Sequence, residues 1–215
     1  MNLLKQYKLL SIEFALLCVV FPSIIIFGGY GHFMFLFLWS ATAYCMLVDR
    51  FRLFEGWKEL WGWEQVNWKN MKPLLLRWVF VCITIILFTW WYAPERLFYL
   101  VETRPEILPR IFLFYPILSA LPQEYIFCRF FFKRYKPFFG GGLLMIIMSA
   151  VVFAYAHVLF INPVAPTLGF LAGLIFALTY QKTKSLALVA IEHGLYGNAI
   201  FFIGLGYYFY SGAIG

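Results

Sequence analysis

The chain has 215 residues, of which 63% are hydrophobic, 22% aromatic and only 13% charged. Because that charged fraction is about half that of soluble domains, too little polar surface remains to cover a water-soluble globule, and most of the protein must be solvated by lipid. The net charge of +7 does not indicate nucleic-acid binding, since the basic residues form short clusters between apolar segments, as in the inner loops of membrane proteins.

Seven stretches are long and apolar enough, or nearly so, to cross a bilayer core, which requires about 20 helical residues. They lie at roughly 9–28, 32–48, 73–93, 110–132, 139–160, 164–180 and 185–206. No small-x-small cleavage site follows the first stretch, so we interpret it as a retained span rather than a signal peptide. The pattern predicts an all-α transmembrane bundle in one membrane domain, 1–215.

The basic residues predict the orientation of this bundle. With a cytoplasmic N-terminus, only Arg96, Arg104 and Arg110 lie on the outer side. The thirteen on the inner side are Lys5, Lys8, Arg50, Arg52, Lys58, Lys69, Lys72, Arg77, Lys133, Arg134, Lys136, Lys182 and Lys184. This bias follows the positive-inside rule.

The segment 49–72 connects the second and third spans and mixes four tryptophans with charges of both signs. Such a composition is typical of an amphipathic helix that lies at the lipid headgroups, with its rings towards the acyl chains. We therefore predict an interfacial segment here, acting as a connector at the membrane surface.

Ionisable side chains within the last four spans are the main candidates for function, because a charge at the centre of a spanning helix costs about 2.5–3.5 kcal/mol. The candidates are Glu124, Arg129, His157, Glu192 and His193, with the neutral Asn198 nearby. Since exposure to lipid is so unfavourable, we expect these groups to face one another. They form either a polar cluster that only stabilises the bundle, or a site in which a carboxylate and two imidazoles activate water.

Three motifs carry a resemblance to a known family. "EYIFCR" (124–129), "FAYAH" (153–157) and "HGLYGN" (193–198) resemble Glu-Glu-x-x-x-Arg, Phe-x-x-x-His and His-x-x-x-Asn. These are the motifs of the CPBP family of intramembrane proteases, which process CAAX proteins and bacteriocins and include the Rce1-type enzymes. The resemblance covers roughly residues 105–210, which predicts a catalytic core in 105–215 and accessory spans in 1–104.

The resemblance implies a role for each matching residue. Glu124 would be the general base, His157 its partner on the attacking water, and His193 the oxyanion donor with help from Asn198. Arg129 would be structural. Phe153 precedes His157 by four residues on a helix and is expected to pack against its imidazole.

Helical geometry adds an expectation for Arg129. Glu124 and Arg129 are about 140° apart on an ideal helix and are not expected to pair with each other. We expect Arg129 to pair with a carboxylate on another helix, and Glu192 is the obvious candidate.

The chain departs from the family pattern at two positions. Tyr125 replaces the second glutamate, where its hydroxyl can still bind water. Asn198 lies one residue late, about 140° from His193, while Gly197 holds the position that shares a face with His193. Either the last helix is unwound near Gly194 and Gly197, or Asn198 is not the donor.

The depths of the candidate residues differ if the helices are straight. Glu124 and His157 would then lie about 13 Å apart along the membrane normal, too far to share one water. Helix tilt, a fifth span that starts after the glycines 140–142, or a bend at Pro116 or Pro122 must close this distance.

The leading hypothesis is an intramembrane endopeptidase that cuts a membrane-associated peptide or protein in a bilayer and uses no cofactor. A zinc variant would use Glu124, His157 and His193 as three ligands, although no HExxH signature supports it. One alternative is a non-catalytic protein on the same scaffold, such as an immunity or partner-binding factor. Another is a transporter, but the sequence has no internal repeat of the kind that many transporters contain. Short loops and the absence of a targeting tail favour a bacterial inner membrane.

Overall fold

The computed structural model describes residues 3–209 of the chain. Within this range seven helical segments are long and apolar enough to cross a membrane, and there is no β-strand. We label them α1 to α7 in chain order: Tyr7–Phe27, Gly31–Arg52, Trp68–Tyr92, Pro105–Arg134, Leu143–Phe160, Val164–Thr183 and Leu186–Ile203. The predicted seven-span bundle is confirmed, while residues 1–2 and 210–215 of the predicted domain lie outside the described residues.

The connections between the spans are short and mostly helical, which keeps their backbone groups hydrogen-bonded close to the lipid. The helix that contains α1 begins at Leu3. The connecting α-helices are Trp57–Trp61, Tyr99–Thr103 and Lys136–Phe139, and the connecting 3-10 turns are Trp63–Gln65 and Pro94–Arg96. A further 3-10 turn, Leu205–Phe209, follows α7.

The helix α7 lies at the centre of the bundle. In its apolar window 67% of the residues are buried, compared with 17% in α1 and 11% in α2. It packs against α3, α4 and α6, so side chains on all of its faces meet protein rather than lipid. Polar residues on α7 can therefore form hydrogen bonds without meeting hydrocarbon.

The start of α7 is held in place by one serine. The Ser185 hydroxyl caps the helix by accepting a hydrogen bond from the Leu188 amide at 3.0 Å. The same hydroxyl lies 3.1 Å from the Trp61 carbonyl and 2.9 Å from the Gly62 carbonyl. The connection between α2 and α3 is thereby attached to the central helix.

That connection is shorter than the interfacial segment predicted at 49–72. Residues 49–52 complete α2, and residues 68–72 already belong to α3. Between them lies only the five-residue helix Trp57–Trp61 and one 3-10 turn. The rings of Trp57 and Trp63 are exposed, whereas Leu60 is buried. The segment is thus shorter than predicted and is attached to α7, while its position at the lipid headgroups stays a prediction.

The helix α4 departs from regular α-helical geometry in two places. π-Helical turns at Pro116–Ala120 and Tyr125–Phe130 flank the short α-helical stretch Leu121–Glu124. Prolines remove backbone donors inside a helix, and π-turns insert extra residues that rotate the side chains which follow. Pro116, one of the two residues at which a bend was expected, begins the first π-helical turn, and Pro122 lies in the short α-helical stretch between the two turns. In addition, α5 begins at Leu143, directly after the three glycines. A fifth span that starts after the glycines was one of the predicted ways to reduce the difference in depth between Glu124 and His157.

Candidate active site

Glu124 forms the centre of the site. It lies on α4 with 1% of its surface exposed, and its Oε1 is 2.7 Å from Nδ1 of His193 on α7. Its other oxygen, Oε2, has no hydrogen-bond partner among the described residues. An unpartnered carboxylate oxygen is uncommon in a protein interior and marks a position that can accept a proton or bind water.

His193 continues the hydrogen-bonded chain that starts at Glu124. Its Nε2 lies 3.0 Å from the hydroxyl oxygen of Tyr115. The imidazole stacks on the ring of Phe176, with centroids 4.6 Å apart, and meets the edge of the Phe153 ring at 5.6 Å. Two bonded nitrogens and two aromatic neighbours leave the imidazole little freedom to rotate. The carboxylate of Glu124, the imidazole of His193 and the phenol of Tyr115 therefore form a continuous hydrogen-bonded chain between α4 and α7.

His157 is held separately from this chain, in the turn His157–Phe160 at the end of α5. Its Nδ1 lies 2.7 Å from the carbonyl oxygen of Phe153, which can only accept, so Nδ1 carries a proton. In the neutral ring, Nε2 then presents a lone pair. Gly169 of α6 makes room for the ring, because a Cβ there would lie 3.3 Å from its Cγ.

Phe153 connects the two histidines. Its ring centroid lies 4.5 Å from that of His157 and 5.6 Å from that of His193. The contact with His157 is the one expected from their spacing of four residues. His157 forms no hydrogen bond with Glu124 or His193, so only Glu124 and His193 of the predicted catalytic residues are in direct hydrogen-bond contact.

The side chain of Asn198 is not hydrogen-bonded to His193. The helix α7 is continuous from Leu186 to Ile203, so the first of the two alternatives, an unwound helix near Gly194 and Gly197, does not apply. The side-chain amide of Asn198 instead donates to the carbonyl oxygen of Phe112 at 3.3 Å. Its Oδ1 is buried and has no partner within residues 3–209. Of the two alternatives left open by the sequence, the displaced asparagine fits the second.

Arg129 pairs with a carboxylate that the sequence analysis did not consider. Its Nε lies 3.3 Å from Oδ2 of Asp49, on α2, and both side chains are 2% exposed. The expected pairing with Glu192 is wrong, because α4 directs Arg129 towards α2 and not towards α7. Tyr125 also faces away from the water site proposed for it, since its hydroxyl donates to Oδ2 of Asp49 at 2.7 Å.

Glu192 has a different basic partner. Arg77 of α3 forms an ion pair with Oε1 of Glu192, and its Nη2 donates to the Thr179 hydroxyl at 3.0 Å. Arg77 was counted among the basic residues of the inner side, but its guanidinium turns into the bundle. The side chain of Arg77 is 38% exposed, whereas that of Glu192 is fully buried.

A cavity of about 300 Å³ lies next to this chain of residues. It runs between α1, α2, α4, α5 and α7, and most of its walls are apolar. Polar groups on its walls include Tyr115, Ser119, Gln123 and His157, whereas Glu124 and His193 lie behind the wall. Tyr115 is thus the point at which the chain that begins at Glu124 reaches the cavity.

The zinc variant does not fit this geometry. In the described part of the chain, no group of three or more histidine, cysteine, aspartate or glutamate side chains could hold a metal ion. Glu124 and His193 are bonded to each other, and His157 is bonded to a backbone carbonyl. The three proposed ligands therefore do not converge on one point. A reaction without a cofactor stays a prediction.

The fold and site define a polytopic integral membrane protein with a buried carboxylate–imidazole pair beside an apolar cavity. Residues 105–199 match the model of a protein family described as type II CAAX prenyl endopeptidase Rce1-like. The resemblance inferred from the three motifs is confirmed for this part of the chain, which matches the Rce1-like family model. The match supports the fold of a CAAX-type intramembrane protease. Comparisons with curated proteins and with solved structures give no match.

Sequence reasoning missed three polar partners: Tyr115, Asp49 and Arg77. Asp49 and Arg77 lie close to the ends of their spans, where charged residues are usually attributed to loops. A charge within two turns of a span end was the available signal for both. Tyr115 carried no such signal, because tyrosine is common in the interface regions of membrane helices. The division into 1–104 and 105–215 stays a prediction, although Asp49 and Arg77 both bind residues of the second part.

Proposed function

We propose that this protein is an intramembrane endopeptidase in which Glu124 activates water. The observation that supports this most directly is the buried hydrogen bond between Glu124 and His193, within the Rce1-like part of the chain. A carboxylate with one bonded and one free oxygen suits a general base, because the bonded oxygen fixes its orientation while the free one takes the proton.

The hydrolysis proceeds in two steps. Glu124 Oε2 takes a proton from water, the water oxygen bonds to the amide carbon, and the carbonyl oxygen becomes an oxyanion. Glu124 then returns the proton to the leaving nitrogen as the carbon–nitrogen bond breaks. In this scheme, His157 Nε2 orients the water and the His193 side of the site stabilises the oxyanion.

Glu124 suits the role of base better than the other buried acids. Asp49 and Glu192 each bind an arginine, so each of these carboxylates is held in an ion pair with a guanidinium. Within the described part of the chain, the side chain of Glu124 forms its hydrogen bond with an imidazole and no ion pair with an arginine. Water exclusion around Glu124 also strengthens its interaction with the charges that develop during the reaction.

The substrate is proposed to be a peptide or protein with an apolar, membrane-associated portion. The mostly apolar cavity beside Tyr115 and His157 can hold such a portion next to the site. Since the family description names a CAAX prenyl endopeptidase, a prenylated CAAX peptide is the first probe to test. We propose a bacterial inner membrane as the location, with the bilayer itself as the main partner.

The test compares wild-type protein with Glu124→Gln in lipid nanodiscs, using prenylated and unprenylated CAAX peptides and other membrane-anchored peptides. We expect Glu124→Gln to lower the cleavage rate about 10²–10⁴-fold, as for loss of a general base. Glu106→Gln is the matched control, because Glu106 lies on the same helix but is exposed and binds only Arg104. It should cleave at the wild-type rate.

Equal cleavage by wild type and Glu124→Gln would contradict the catalytic assignment. If neither variant cleaves any peptide while both fold normally, the alternative of a non-catalytic scaffold, such as an immunity or partner-binding factor, would take its place.

A further inference from the structure

The first observation concerns which group of the site reaches the cavity. Glu124 and His193 are 1% and 5% exposed and lie behind the cavity wall. Tyr115 lies on that wall and places its hydroxyl 3.0 Å from Nε2 of His193. A substrate carbonyl in the cavity would therefore meet the phenol of Tyr115 before the imidazole.

The second observation is steric. Gly197 lies one helical turn after His193, at the position where a side chain would share its face. A Cβ at Gly197 would overlap the ring and hydroxyl of Tyr115. The phenol of Tyr115 thus occupies the space beside His193 that a side chain at position 197 would otherwise fill. It can do so because residue 197 is a glycine.

The third observation concerns the hydrogen bond that the side chain of Asn198 forms. In an α-helix the carbonyl of Phe112 would accept from the amide of residue 116, but Pro116 has no N–H. The side-chain amide of Asn198 donates to this carbonyl at 3.3 Å instead. Asn198 therefore supports the backbone of α4 directly before the π-helical turn Pro116–Ala120, and we assign it a structural role.

The other polar groups on this part of the wall have different hydrogen-bond partners. The amide nitrogen of Gln123 donates to the hydroxyl of Ser119 at 2.9 Å, and its Oε1, which has no partner among residues 3–209, can only accept. His157 directs its protonated Nδ1 to a backbone carbonyl. Neither group is bonded to His193.

We propose that the Tyr115 hydroxyl is a catalytic residue, which donates a hydrogen bond to the carbonyl oxygen of the scissile bond in place of Asn198. This inference rests on the proposed function. When His193 is an imidazolium, its two N–H groups bind Glu124 and the Tyr115 oxygen, and the phenol O–H is free to donate to the substrate. No bond forms or breaks at Tyr115, and its proton stays on the phenol.

The main test is Tyr115→Phe, which keeps the ring and removes the donor. We expect kcat to fall about 10²–10³-fold with little change in KM, as for loss of one oxyanion donor. Tyr115→Phe should also weaken the binding of a phosphinate analogue of the peptide, because the tetrahedral phosphinate oxygens mimic the oxyanion. Binding of the uncleaved peptide, measured in Glu124→Gln protein, should be the same with and without Tyr115→Phe. Tyr155→Phe is the matched control, since its hydroxyl bonds only Ser23, and it should keep the wild-type kcat.

A second pair of variants tests the exchange of donors. Gly197→Asn alone should lower activity and stability, because the new side chain collides with Tyr115. Combined with Tyr115→Ala, the asparagine gains space one turn after His193, and kcat should recover about tenfold relative to Tyr115→Ala alone. Asn198→Ala should lower the unfolding temperature without a selective loss of phosphinate binding.

The outcomes separate the two proposals. If Glu124→Gln cleaves as fast as wild type, the proposed function fails. If cleavage depends on Glu124 but Tyr115→Phe keeps the wild-type kcat and phosphinate affinity, only the role of Tyr115 is overturned.

Discussion

The carboxylates of Glu124 and Asp49 are equally buried, each 1% exposed, yet their surroundings are opposite in kind. Asp49 has partners on both oxygens, because Tyr125 and the two ends of the Arg129 guanidinium surround it. Glu124 has one imidazole on one oxygen and, among residues 3–209, no hydrogen-bond partner on the other.

The difference indicates how this bundle separates structure from chemistry. A buried charge with all its partners is stable and unreactive, whereas a buried carboxylate with a free oxygen keeps a site for a proton. Both clusters use the same stretch of α4, in which Glu124 and Tyr125 are neighbours that point to α7 and α2 respectively. Under the proposed function, neighbouring positions on one irregular helix serve two different purposes.

The largest effect on stability is expected at the cluster formed by Asp49, Tyr125 and Arg129. Asp49→Ala leaves the Arg129 guanidinium buried without a partner and should lower the free energy of unfolding by about 3–5 kcal/mol. Unfolding in detergent micelles measures this loss. The double variant Asp49→Ala with Arg129→Met should recover most of it, because no charge then remains. Wild-type stability in Asp49→Ala would show that the pair does not hold α2 to α4.

A smaller and asymmetric effect is expected at the pair formed by Arg77 and Glu192. Arg77→Gln leaves a fully buried carboxylate without its cation and should cost about 3 kcal/mol. Glu192→Gln should cost only about 1 kcal/mol, because the half-exposed guanidinium of Arg77 can turn back towards water. Chemical unfolding of the two variants under identical conditions checks the order. Equal losses would mean that burial does not distinguish the two partners.

The smallest effect is expected at the surface, between Glu55 and Lys133. The ammonium group of Lys133 lowers the pKa of Glu55, so the pair contributes stability above the unfolded pKa and loses it as the pH falls through the folded pKa. Because the Glu55 side chain is 66% exposed, we expect about 0.5 kcal/mol or less. Glu55→Gln should therefore match wild type in unfolding experiments at low pH and differ slightly at pH 7. A larger difference at low pH would contradict this sign.

Much of the architecture could be predicted from the sequence. Seven spans follow from the length of apolar stretches, since crossing a bilayer is a local property of about 20 residues. Glu124, His157 and His193 could be singled out because ionisable groups inside a span are costly and rarely lack a purpose. Phe153 against His157 followed from helical spacing alone.

The partners of these residues were decided only by the tertiary structure. Arg129 binds Asp49 and not Glu192, and Tyr115 takes the place expected for Asn198 beside His193. Both results depend on the directions in which the side chains of α4 point. The two π-helical turns change these directions, so the regular period of 3.6 residues does not predict them. Composition determines that a polar group inside the membrane needs a partner, but the packing of irregular helices determines which partner it meets.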